Sequence, residues 1–185
     1  MIEIFNTVAS DAWVGLAGVV FGSLLTTLGV WLTNRSNTKQ ALQRLQHEER
    51  VASESVRKER LEELYILVCH WSNLFFKQYL NLNLVMKGSL SYNDYLDMIT
   101  AVSEDGADYN RIQMIVDIYG EEVRSYYEAV EEAKVTVNYV GAQHKQAYKL
   151  GEPGLGFIGP AKEAQLLLGD AFDEFKFAIA KAARA

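Results

Sequence analysis

The side chains best suited to covalent or metal chemistry are one cysteine and three histidines, and their spacing supports little of either. Cys69 and His70 are adjacent, which on a helix turns them about 100° apart and prevents the thiolate–imidazole pairing that activates a nucleophile. Cys69 lies in an apolar run and is expected to be an inert core residue. His47, His70 and His144 show neither H-x-x-x-H nor H-x-x-E spacing, so no metal site on a single helix is expected. His70 is expected as a hydrogen-bonded histidine within a helical bundle. The lone cysteine excludes a disulfide framework and any zinc site built on several thiolates. Gly154-Leu-Gly156-Phe-Ile-Gly159 matches G-x-G-x-x-G and opens a helix, whose N-terminus attracts anions. A helical pattern rather than a strand precedes it, and it reads as a connection between helices.

Carboxylates are the other candidates. From Asp94 to Glu132, eleven Asp or Glu stand against only Arg111 and Arg124. A di-iron bundle would use Glu-x-x-His, which does not occur, so this segment reads as a solvated face or a surface for a basic partner. The sequence therefore points to a non-enzymatic protein with no catalytic residues, no metal and no cofactor.

What must position these residues begins with an uncharged stretch. No ionisable residue occurs between Ala12 and Asn34, and at 1.5 Å per residue the apolar run Ala12–Leu32 would extend roughly 32 Å, a bilayer's hydrocarbon thickness. Trp13 and Trp31 stand near its ends, where indoles favour the headgroup boundary, and Arg35 follows as a charged anchor. The absence of a basic segment before the run, and of a small-residue cleavage site after it, speaks against a signal peptide. Glu3 and Asp11 are the only charges before it, whereas Arg35, Lys39, Arg44, Arg50, Arg57, Lys58 and Arg60 follow. Positive charge stays inside, so the N-terminus is expected to face out and residues 35–185 the cytosol.

The span also carries small residues in order. Gly15, Gly22 and Gly29 recur every seven positions, Gly18 and Gly22 form G-x-x-x-G, and Thr26 extends the stripe. Such a stripe lets a second helix approach closely, so these five are the expected packing residues of a homo-oligomer. Ser23, Thr26 and Thr27 offer hydroxyls for bonds across that contact or along a narrow wet path, unless they bond their own carbonyls.

Between Gly29 and Gly88 there is neither glycine nor proline, so nothing local stops the helix. The expected organisation is an extracytoplasmic tail at 1–11, a transmembrane helix at 12–34, a basic juxtamembrane stalk helix at 35–60 and a cytosolic α-helical bundle at 61–185. In the bundle, Leu61, Leu64, Tyr65, Val68, Trp71, Phe75, Tyr79 and Leu82 recur at steps of three or four, widened by Leu67, Leu74, Phe76 and Leu80. So wide a stripe predicts a helix buried between neighbours. Further helices are expected over 91–102 (ending near Gly106), from Asp108 to Gly120, from Glu121 to about Leu150, and from Pro160 to about Ala183. Val135–Val140 has strand-like composition, and Gly141 is expected to kink or split its helix. The fold class is all-α.

The net charge of −6 and pI near 5.1 argue against a protein that grips nucleic-acid phosphates, and no direct DNA binding is expected. The order of elements, a short outward tail, a glycine-rich span, a basic stalk and an all-helical domain, resembles the small single-pass membrane accessory effectors of bacterial CRISPR anti-phage systems of type VI-B. That resemblance implies a divergent HEPN-like fold and oligomers that permeabilise the inner membrane. The Arg-x(4–6)-His motif of active HEPN ribonucleases is absent: His47 follows Arg44 by three positions and His70 follows Arg60 by ten. The expected function is a self-associating, pore-type membrane effector of anti-phage defence, with lipid and further copies as partners and a protein or nucleotide messenger at the bundle. The alternative is a membrane-anchored adaptor whose bundle recruits a protein.

Overall fold

The computed structural model describes residues 10–102 and 107–184, and among them there are five α-helices and no strand. The greater part of the expected tail 1–11, and the helix end expected near Gly106, fall outside these residues. The order is α1 (Ser10–Met86), α2 (Tyr92–Val102), α3 (Tyr109–Tyr119), α4 (Arg124–Lys149) and α5 (Ile158–Ala182), with 3₁₀ turns at Glu121–Val123 and Gly154–Phe157.

The 77 residues of α1 follow from the missing breakers, and the helix ends where the first one is met. Gly88 takes a left-handed φ of 72°, its N–H donates to the Val85 carbonyl, and the Ser89 N–H reaches back to Leu84. That pair of bonds closes the helix C-terminus in a conformation glycine adopts without strain. Gly151 ends α4 in the same way. At the N-termini, the Ser91 hydroxyl accepts from the Asp94 N–H, and Asp108 accepts from the Arg111 N–H at 2.9 Å, satisfying donors that a first turn leaves open.

The chain separates into two compact units, up to Ser53 and from Glu54 onward. In the first, every described side chain from Trp13 to Ser53 is exposed. One helix among the described residues, that containing this segment, is long and apolar enough to cross a membrane.

The second unit has a core. Leu61, Leu64, Val68 and Trp71 of α1 are fully buried with Ile115 and Val116 of α3, Val130 of α4 and Phe175 and Ile179 of α5. Trp71 is the centre of an aromatic group, meeting Phe172 edge-on at 4.9 Å and Tyr109 edge-on at 5.6 Å, with the Lys134 ammonium 5.6 Å from its ring centre. A smaller cluster of Leu82, Met86 and Ala161 lies beyond it.

Several expectations change here. The stripe of α1 is not buried all round: Phe76 and Leu80 are 64% and 49% exposed, because neighbours cover one side only. Val135–Val140 is helical and Gly141 does not break α4, because Val130, Val137 and His144 at seven-residue spacing all face inward and packing outweighs strand propensity. Glu121–Val123 is a 3₁₀ turn, so α4 starts at Arg124. The last helix starts at Ile158 rather than Pro160, which sits in the first turn where its missing N–H costs nothing. Arg57 and Arg60, expected in the stalk, are tied into the second unit by ion pairs to Glu122 and Glu63.

Candidate functional site

The five residues expected to pack against a second helix share a face of α1. At about 100° per residue, Gly15, Gly18, Gly22, Thr26 and Gly29 fall within an arc of about 80°. A Cβ added at any of the four glycines would meet nothing within 4 Å, so the strip is open. Trp13 and Trp31 point the opposite way, both about 160° from Gly15, and stand about 27 Å apart along the axis. The Arg35 guanidinium lies 5.5 Å from the centre of the Trp31 ring, which groups the three expected anchors on the side away from the glycines.

Hydroxyls on this helix are used locally. Thr26 donates to the Gly22 carbonyl at 2.8 Å, Ser23 to Val20 at 2.9 Å and Thr27 to Ser23 at 2.8 Å. What Thr26 adds to the stripe is small size rather than a free hydroxyl proton.

His70 is exposed rather than inside the core, His47 is exposed in the first unit, and Cys69 is half-buried. No group of three metal-ligating side chains occurs among the described residues. The glycine-rich loop is closed by packing. A Cβ on Gly154 would come within 2.7 Å of the Met86 carbonyl oxygen and 2.8 Å of His144 Nε2, so its glycine answers a close approach.

Basic side chains inside and outside the acidic segment pair with part of it, and one of its own arginines is taken up by Glu63 of α1. Arg111 grips both oxygens of Glu63 at 2.7 and 3.0 Å while Arg60 adds a bond at 2.7 Å. The Arg111 hydrogen bonds first, then those of Arg60, pull the Glu63 carboxyl down to about 2. Asp117 pairs with Arg124, Glu122 with Arg57 and Glu131 with Lys134.

Two features were not anticipated. A groove of about 360 Å³ runs between α1 and α5, lined by Phe75, Phe76, Tyr79, Leu80, Leu166 and Phe172 among others. It could not be read from sequence, because it depends on which side of the α1 stripe α5 leaves uncovered. The second is His144, 1% exposed, whose Nδ1 has no hydrogen-bond partner among the described residues. Its one sequence signal is the register Val130, Val137, His144, which sets the imidazole on the buried stripe of α4.

Set against known protein families, curated proteins and solved structures, the chain matches none.

Proposed function

We propose that this chain is a single-pass membrane protein that self-associates through Gly15, Gly18, Gly22, Thr26 and Gly29 and acts without catalysis by permeabilising the membrane. The observation that carries the reading is the open strip of small residues set opposite Trp13, Trp31 and Arg35. A helix that only anchors has no need to keep one side free of side chains, whereas close helix contact does. The excess of Lys and Arg after the span supports an N-terminus outside and a basic stalk and helical bundle inside the cytoplasm. The layout it shares with type VI-B accessory effectors supports anti-phage defence in a bacterial inner membrane as the setting.

The test is the mass of the full-length protein in nanodiscs, with a Gly18→Leu, Gly22→Leu double variant alongside, followed by dye release from liposomes. The expected result is an assembly that the double variant disperses, together with leakage that it abolishes. A monomer, or an assembly indifferent to both leucines, would sink the proposal.

A second reading has its own observation. The apolar groove flanked by Phe76, Leu80 and Leu166 supports a membrane-anchored adaptor that receives a protein partner. In that case the leucine substitutions leave function intact, and Phe76→Asp abolishes it.

A further inference from the structure

An imidazole in water is charged below about pH 6.5 and neutral above it, and one buried without an acid beside it is held in the neutral form. His144 has such surroundings on every side. The Tyr92 ring of α2 lies 6.4 Å away between centroids, the Tyr148 ring of α4 itself 6.2 Å, and Phe157 of the 3₁₀ turn 5.5 Å, edge-on. Gly154 and Met86 close the remaining side, packed so tightly that a single added carbon would touch both the histidine and the Met86 backbone.

Among the described residues, the titratable side chains in ring contact with it are the phenols of Tyr92 and Tyr148; Met86, Gly154 and Phe157 carry no charge. The Tyr148 oxygen accepts the Tyr92 N–H at 3.3 Å, and burial pushes the Tyr92 phenol up, so it stays neutral across the physiological range. No carboxylate is paired with His144 among the described residues, and burial alone pushes the imidazole down.

Three pieces of chain meet at this ring: the end of α1, the start of α2 and the α4–α5 connection. Two of the turns beside it are built on Gly88 and Gly151, both at positive φ and with open space around their Cα atoms. The joint thus has a titratable side chain at its centre and, at its edge, two glycine turns each closed by a pair of backbone hydrogen bonds.

We propose that His144 is a proton-operated latch: neutral, it holds the end of α1, the start of α2 and the α4–α5 connection together, and protonated, it lets them part. Protonation would place a charge in aromatic surroundings and make both ring nitrogens donors, Nδ1 having no acceptor among the described residues. Because the folded state disfavours the charged form, the latch contributes in full above pH 6.5 and weakens as the pH falls below that value. Carboxylates do not imitate this window, since ordinary ones titrate near 4 and Glu63 lower still, at about 2. The inference is independent of whether the first unit crosses a membrane.

Hydrogen exchange of the full-length protein in detergent micelles at pH 7.5, 6.5 and 5.5, corrected for the intrinsic pH dependence of exchange, tests it. Peptides covering 84–95 and 147–160 are expected to lose protection on acidification, by up to about tenfold per pH unit below 6.5, while α3 holds. A His47→Gln, His70→Gln double variant keeps the response, and His144→Phe, which retains a flat ring without a titrating nitrogen, removes it. Equal protection at pH 7.5 and 5.5 in the unaltered protein, or an acid response that survives His144→Phe, overturns the proposal. Should the phenylalanine variant fail to fold, histidine-selective NMR of the unaltered protein decides the question. A His144 midpoint below 6.5 that moves together with the Tyr92 amide supports the latch, and a midpoint at or above 6.5 refutes it.

Discussion

One helix, α1, contains two regions with opposite relations to their surroundings. From Trp13 to Trp31 its large apolar side chains are exposed on all sides; from Leu61 to Trp71 four of them are fully buried against α3, α4 and α5. Apolar content alone does not separate these regions. The separation lies in the polar residues: the first region has none that ionise, whereas Glu62, Glu63 and His70 interrupt the second. Apolarity around a full circumference asks for an apolar solvent, and apolarity on one side asks for a protein neighbour.

Three substitutions break or sharpen that contrast. Trp71→Ala removes the centre of the aromatic group and should cost about 3–5 kcal/mol, read as a lower urea midpoint for the full chain in micelles. Leu24→Arg places a charge near the middle of the exposed segment, costing about 2.5–3.5 kcal/mol of membrane insertion. Its expected signature is protein lost from carbonate-washed membranes with an unchanged urea midpoint, and a shifted midpoint would mean that this leucine packs on protein after all. Glu63→Gln weakens the Arg60–Glu63–Arg111 bridge between α1 and α3 by about 1 kcal/mol, a modest value because the carboxylate is half-exposed. The Glu63 pKa is lowered from 4.5 to about 2, so the bridge contributes fully above pH 4.5 and is lost as pH falls towards 2. Stability measured across that range should therefore decline less steeply in the glutamine variant than in the unaltered chain.

Local signals in the sequence were legible because they need only a few neighbouring residues to act. The run without glycine or proline up to Gly88, the helix start at Asp108 and the steps of Leu61, Leu64, Val68 and Trp71 each have a counterpart in α1 and α3. What stayed hidden depends on distant parts of the chain. Whether Phe76 and Leu80 are covered is decided by α5, some ninety residues on, and the surroundings of His144 come from Met86, Tyr92 and Phe157, none near it in sequence. The start of α5 depends on distant residues in the same way. Gly154 looked like loop material, yet it is small because Met86 and His144 press on it, and the residues after it coil into a 3₁₀ turn. The exposed apolar stretch and its small residues could be marked out from sequence alone, which left two uses open for the hydroxyls; Ser23, Thr26 and Thr27 take the local one.

The three tryptophans fall on the two sides of this contrast: Trp13 and Trp31 are 40% and 56% exposed in the first region, and Trp71 is fully enclosed in the second. The chain thus carries its own optical labels. A collisional quencher of indole emission reaches the first two and is shut out from the third, so quenched and unquenched light report on the two regions separately. A red shift of the protected component would signal opening of the Trp71 core without any dye attached.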